Sequence, residues 1–116
     1  MNDAGPALLK VKDLTTRVAG DWQIRCTVNK KHPIRQHAKG KLFKIDLLDD
    51  QDRQSMIEGT FYTEETDLFW HRIAEGKTYL ISKAEISSAN KKFTSIKHDF
   101  RLIFKAETQL DEVPES

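Results

Sequence analysis

One phenylalanine stands apart from its neighbours near the C-terminal end of the sequence, in the stretch NKKFTSIKHDFRLIFK. Divided by alternate residues as a strand, this stretch has one mostly apolar face and one mostly charged face, and Phe93 lies on the charged face. Its lysine neighbours are Lys91, Lys92 and Lys97. This combination suits single-stranded nucleic acid, because bases stack on aromatic rings while cations track the phosphates. Padding of a strand edge is the alternative role, since isolated exposed aromatics are common.

The net charge of +1 conceals two basic segments. Residues 22–45 contain seven lysines and arginines and no acid, and residues 76–105 contain seven against two acids. Segments that are separated in sequence can meet on one face of a fold, where they would attract a polyanion. The candidate cations are Lys31, Arg35, Lys39, Lys41, Lys91, Lys92, Lys97 and Arg101. The alternative is an ordinary solvated surface of mixed charge.

Catalysis, metals and cofactors find no support in the sequence. The four histidines are scattered, without the i, i+4 pair that a metal-binding helix uses, and the five glycines form no phosphate loop. The single cysteine, Cys26, excludes a disulfide framework and a cysteine zinc site within one chain. No apolar run reaches the roughly 20 residues of a membrane span, and no secretory signal opens the chain. We therefore expect a binding domain in a reducing compartment, with no enzymatic activity and no cofactor.

The spacing of apolar residues predicts five strands and one helix. The strands cover residues 21–29, 41–50, 55–62, 78–86 and 93–104. The helix lies within residues 63–77, where Thr63 is expected to cap its start and Gly76 its end. This order predicts an all-β domain, a five-stranded Greek-key barrel of the OB-fold type with one short helix between strands 3 and 4.

A chain of 116 residues predicts a single domain. Residues 1–116 are expected to form this one nucleic-acid-binding domain, with a core at about residues 8–105 and a loose acidic tail at 106–116. Cys26 falls on the inward face of the first strand, where a free thiol behaves as a small apolar group. Gly59 within the third strand indicates a bulge or a close approach by another backbone.

In such a barrel, the loops at residues 30–40 and 87–92 flank the second and third strands, which form the usual oligonucleotide-binding face. The two basic segments would converge there. Phe61 on the third strand is a possible second stacking ring, although the irregular pattern of that strand leaves its face unassigned. The alternative is an OB-fold module for protein–protein interaction that docks acidic peptides, and the phenylalanine between lysines favours nucleic acid over it.

The sequence also resembles the first DNA-binding OB domain of the replication protein A large subunit. The similarity covers about residues 14–104 and is carried by WQIRCTVNKKHPIR, GKLFKIDLLD, the FW pair at the helix end and ANKKFTSIKHDFRLIF. It implies a nuclear domain that binds single-stranded DNA in replication and repair, with sister OB domains in a larger chain and other subunits as partners. It implies stacking rings at Phe61 and Phe93, a loop arginine at Arg35 and a contact lysine at Lys97.

The sequence departs from this family at several positions that would contact nucleic acid. The loop after Arg35 reads QHAKGK, which is shorter than usual, and His37 stands where the family has an aromatic contact residue. Ile57, Ser87 and Arg101 replace an arginine, a lysine and a glutamate, respectively. Such changes suit a specialised paralogue, and the family has one in telomerase holoenzymes that holds G-rich telomeric single strands. Replication protein A and this telomeric paralogue both stay open.

Overall fold

The computed structural model describes residues 7–18, 20–92 and 94–114. Its strands are β1 Ala7–Leu8, β2 Trp22–Lys31, β3 Arg35–His37, β4 Gly40–Asp49, β5 Met56–Tyr62, β6 Thr78–Ser82, β7 Glu85–Ser88, β8 Phe100–Ile103 and β9 Gln109–Glu112. The helix α1, Glu64–Phe69, continues into a 3₁₀ turn, Trp70–Arg72, and another 3₁₀ turn spans Val11–Asp13. In the part of the chain so described, no helix has the length and apolarity to cross a membrane. The same residues include no group of three or more His, Cys, Asp or Glu side chains that could hold a metal.

The strands form one curled sheet in the order β7-β8-β5-β4-β2-β6-β9. β2, β4 and β5 form an antiparallel meander, and β8 joins the edge of β5 in parallel. The predicted fourth strand is two strands, because the chain bends between them at Lys83, which has a φ of 62°. β6 therefore pairs with β2 on one side of the sheet while β7 pairs with β8 on the other. This arrangement confirms the predicted Greek-key OB barrel. Its helix lies between β5 and β6, which correspond to the predicted third and fourth strands.

The core of the barrel is built around stacked phenylalanines. The ring centroids of Phe43 and Phe61 lie 4.2 Å apart, as do those of Phe61 and Phe104. The inward face predicted for β2 is confirmed, because its alternate residues, Cys26 among them, are buried. Burial raises the pKa of the Cys26 thiol far above its usual range, and the carboxylate of Asp49 adds to this effect. Cys26 is therefore an apolar core residue.

The expectation of a loose tail is wrong for residues 108–112. β9 pairs antiparallel with β6, and the side chain of Leu110 lies in the core at 6% exposure. Thr108 anchors the turn before β9, since its hydroxyl donates to the Lys83 carbonyl and accepts from the Lys105 N–H. The folded core therefore extends past its predicted boundary to the end of β9.

Other expectations are corrected at the ends of elements. Thr63 precedes α1, but its φ of 45° is not the extended conformation of a capping residue, and its side chain makes no capping hydrogen bond. Gly76, with a φ of 85°, belongs to the turn before β6 and not to the helix end. The fifth strand is shorter than predicted, since only β8 is paired and residues 94–99 lie outside any strand.

Gly59 lies in β5 under two core side chains. A Cβ added there would lie 2.9 Å from Phe104 Cε1 and 3.0 Å from Ile45 Cγ1, so side chains and not another backbone make the close approach. We expect Gly59→Ala to lower the free energy of unfolding by about 1–3 kcal/mol, because the core must shift to admit a methyl group. Urea denaturation followed by circular dichroism measures the change.

Ser88→Thr is the matched control, because it adds one methyl group at an exposed strand position. It should change the free energy of unfolding by less than about 0.5 kcal/mol. Equal losses in the two variants would contradict the packing argument for Gly59.

Candidate nucleic-acid interface

A groove crosses one face of the barrel, over the outward side chains of β4 and β5. It comprises two cavities with volumes of about 410 and 640 Å³. Asp46, Ser95 and Ile96 line both cavities, so the two form one continuous groove. Residues 32–33 and 35–37 form one wall and residues 94–97 the other. The first wall lies in one of the two loops predicted to flank the binding face. The second wall lies in a segment for which the sequence predicts a strand.

The hairpin of β3 and β4 fixes the first wall. Arg35 pairs with Leu42, and His37 pairs with Gly40. Gly40 has a φ of 138°, and a Cβ at this position would lie 2.8 Å from Thr63 Oγ1. The absence of a side chain therefore lets the hairpin turn tightly against the start of α1. Arg35 and His37 are held exposed where they line the groove.

The prediction that Phe61 stacks on bases is wrong. Its side chain is fully buried, with its ring stacked between those of Phe43 and Phe104. The alternation of β5 turns Phe61 to the same inward face as Ile57. A base could reach this ring only if the barrel opened.

Tyr62, the next residue of β5, holds the outward position. It is partly exposed and pairs with Leu42, which lines the groove. The ring of His37 approaches it edge-on, with the two centroids 6.4 Å apart. A sequence signal for Tyr62 exists: if Ile57 is an inward residue, strict alternation turns Tyr62 to the opposite face.

Arg101, a predicted contact residue, supports Tyr62. Its Nη1 donates to the Tyr62 hydroxyl over 3.2 Å. Its Nε is buried and has no hydrogen-bond partner within the described ranges. Arg101 therefore positions the tyrosine ring from the side of β8.

Phe93 lies outside the described residues, so its role as a stacking ring stays a prediction. Two of its sequence neighbours are described. Lys92 is exposed, and Thr94 lines the groove opposite the hairpin of β3 and β4.

Two predicted contact lysines are engaged elsewhere in the protein. The amine of Lys31 donates to the carbonyls of Trp70 (2.5 Å) and Ile73 (2.8 Å) and lies 3.9 Å from the centroid of the Trp70 ring. Burial lowers the pKa of this amine. Lys41 forms an ion pair of 2.5 Å with Asp67 of α1. Both lysines fasten the helical segment to the barrel, so we remove them from the candidate site.

Four predicted cations remain exposed and pair with no carboxylate in the described part of the chain. They are Arg35, Lys39, Lys92 and Lys97. Arg35 lines the smaller cavity and Lys97 the larger one. The rim of the groove is therefore positively charged on both sides.

Two further lysines lie near this rim. The amine of Lys91 donates to the Lys97 carbonyl over 2.5 Å and lies 3.7 Å from a carboxylate oxygen of Asp99, so its charge is partly compensated. Lys12, which the sequence reasoning missed, lines the larger cavity together with Lys97. No pattern in the sequence connects Lys12 with Lys97, because they lie near opposite ends of the chain.

Carboxylates lie on the floor of the groove. Oδ1 of Asp46 lies 3.0 Å from His32 Nε2. Glu58 is 7% exposed, and its Oε2 accepts from the Thr60 hydroxyl over 3.1 Å and lies 3.7 Å from the Lys44 amine. Unpaired positive charge is thus found at the rim, whereas the floor carries two carboxylates and one lysine, Lys44.

The curled sheet, the helix between β5 and β6 and the groove over β4 and β5 define an OB-fold domain. The 70 kDa DNA-binding subunit of replication protein A from Xenopus tropicalis is 34% identical to the chain over 93 residues, which are 77% of this chain and 15% of that subunit. The chain is therefore an OB domain of the replication protein A type. It spans about 15% of the length of the curated relatives it matches. No protein-family model matches it.

Two solved structures agree with this assignment. A chain of a replication protein A heterotrimer bound to ssDNA superposes with a TM-score of 0.82 and 29% identity, over 92% of this chain and 25% of that one. DNA-binding domain A of S. cerevisiae replication protein A gives a TM-score of 0.73 and 26% identity, over 97% of this chain and 98% of that domain. The similarity to domain A therefore covers nearly the whole of both chains.

A substitution of Lys31 tests whether this lysine stabilises the fold or is free to contact a ligand in the groove. We expect Lys31→Met to lower the free energy of unfolding by about 1–3 kcal/mol, because two charge-assisted hydrogen bonds to the helical segment are lost. Lys30→Met, an exposed neighbour in β2, is the control and should be nearly neutral. Urea denaturation measures both, and a neutral Lys31→Met would return Lys31 to the list of candidate contacts.

Proposed function

We propose that this domain binds single-stranded DNA in the groove, with bases stacked on Tyr62 and phosphates held by the cations of the rim. The observation that carries the proposal is the groove itself, which has unpaired cations at both walls in an OB barrel of the replication protein A type, with the partly exposed ring of Tyr62 beside Leu42 of its lining. Single strands are bound by this combination, because stacking tolerates any base and cations neutralise the backbone.

The distribution of charge sets the orientation of the strand. Arg35 and Lys97 lie at opposite walls, whereas the floor carries Asp46 and Glu58 against a single lysine, Lys44, and so has an excess of negative charge. A phosphate on the floor would be repelled by the carboxylates, so the backbone is expected to follow the rim with the bases turned inward. Phe93 is proposed as a second stacking ring from its position in the sequence between lysines.

The biological setting is proposed from the relatives. The matched subunits belong to replication protein A, and one matched structure is a heterotrimer bound to ssDNA. We infer that the domain acts in the nucleus in DNA replication or repair, beside sister OB domains and with other subunits. A telomerase-associated role is a narrower form of the same proposal, and it depends on base preference.

The docking of acidic peptides is the weaker alternative. The floor of the groove carries two carboxylates, Asp46 and Glu58, against one lysine, Lys44. A peptide that inserted acidic side chains would meet these carboxylates, whereas a nucleic acid can keep its charge at the rim. The charge pattern of the groove therefore supports the nucleic acid.

The stacking residues give the most direct test. We expect Tyr62→Ala and Phe93→Ala each to weaken binding of a short oligo-thymidine by about 1–3 kcal/mol, because a stacked base loses its ring. Fluorescence anisotropy measures the affinity, and circular dichroism checks the fold. Tyr62→Phe is the matched control and should retain most of the affinity, since it keeps the ring.

The outcome that contradicts this assignment is an unchanged affinity in a folded Tyr62→Ala variant. Phe61→Ala is not informative about binding, because the loss of a fully buried ring should destabilise the barrel by about 3–5 kcal/mol.

Arg35 tests the role of the rim. We expect Arg35→Ala to reduce the slope of log affinity against log salt by about 0.7, the value for one phosphate contact on a single strand. Lys77→Ala is the control, because Lys77 lies 3.5 Å from Glu112 and lines neither cavity of the groove. An Arg35→Ala slope equal to that of the native protein would show that this wall does not touch the DNA backbone.

A further inference from the structure

Asp46 occupies a distinctive place on the floor of the groove. It lines both cavities, which makes it part of the junction through which a bound strand would pass. Its side chain is 20% exposed, so it is accessible from the groove. Its position in β4 is fixed by the buried neighbours Ile45 and Leu47, which turn Asp46 outward.

Only part of this carboxylate is engaged. Oδ1 lies 3.0 Å from His32 Nε2, while Oδ2 makes no hydrogen bond to the described residues. A carboxylate offers about four acceptor sites on its two oxygens, so several remain for a ligand. Glu58, the other carboxylate of the floor, differs because Thr60 and Lys44 engage it and it is 7% exposed. Asp46 is therefore the floor carboxylate that can accept from a base.

We propose that Asp46 reads a guanine in the bound strand, by accepting hydrogen bonds from its N1–H and N2–H₂ groups. The proposal rests on the proposed binding of single-stranded DNA in this groove. The bases of a single strand have free Watson–Crick edges, which an inward orientation would present to the floor.

The chemistry of the four bases selects guanine. Its Watson–Crick edge has two adjacent donors, which match the two oxygens of a carboxylate. Thymine has one donor between two carbonyls, and those carbonyls would be repelled by a carboxylate. Cytosine and adenine each offer one amino group beside a ring nitrogen acceptor, so each can make only a single good contact. The carboxylate that disfavours phosphates on the floor thus also discriminates between bases.

A scan with defined strands tests the assignment. The reference is oligo-thymidine of about 12 nucleotides, within the range of lengths that one OB fold covers. A single guanine is then placed at each position in turn, which avoids guanine quadruplexes. We expect one position to bind more tightly than the reference by at least about fivefold, the lower limit for a bidentate base contact. Inosine at that position, which lacks the N2 amino group, should lose most of the gain.

Asp46→Asn is the variant for this test. The amide replaces a carboxylate oxygen by a donor, so the preference for guanine should fall to less than about twofold. Affinity for oligo-thymidine should rise slightly, because a negative charge leaves the groove. Asp111→Asn, an exposed carboxylate in β9, is the control and should keep the preference.

The possible failures are distinguishable. Tight binding of oligo-thymidine without any position that favours guanine would overturn the role of Asp46 and leave the proposed function in place. Retention of the guanine preference in Asp46→Asn, or full affinity with inosine, would also overturn it. The inosine comparison uses the native protein, so it decides the matter even if the variant does not fold. Failure to bind any of these strands would overturn the proposed function itself.

Discussion

The stacking of Phe61 between Phe43 and Phe104 is the interaction on which the groove depends. It locks β4 and β5 in the register that pairs Phe43 with Phe61. Because side chains alternate along a strand, a slip of one residue would exchange the core face for the groove face. The buried stack therefore determines that Tyr62 and Asp46 face outward.

Much of the barrel could be predicted from the sequence, because β2 and β4 alternate clearly between apolar and polar residues. The inward face of β5 could not be assigned, because its apolar and polar residues do not alternate regularly. In the structure, Glu58 and Thr60 on the outward side are buried as well. The family resemblance then placed the stacking ring at Phe61, one residue away from the outward tyrosine. An error of one position reverses the function of a strand residue, from base contact to core.

The candidate cations show a different limit of sequence reasoning. Several of them are engaged by groups that lie far away along the chain. Lys31 is held by carbonyls about 40 residues later, and Lys41 by Asp67 of the helix. The acidic segment that contains Asp67 therefore neutralises part of a basic segment rather than lying on a separate face. Such pairing depends on tertiary structure, so counts of like charges overestimate the positive surface.

Two of the unpaired candidate cations, Arg35 and Lys97, lie at the rim, and the accessible carboxylate lies on the floor, which separates two properties of the proposed site. Rim cations act on phosphates, which every strand carries, so they contribute affinity without discrimination. A floor carboxylate acts only on base edges, so it contributes discrimination and lowers the affinity for strands that lack a matching donor. A domain that bound all strands equally would gain by an uncharged residue at position 46. The partly exposed aspartate between the two cavities is therefore what the proposed discrimination among bases requires.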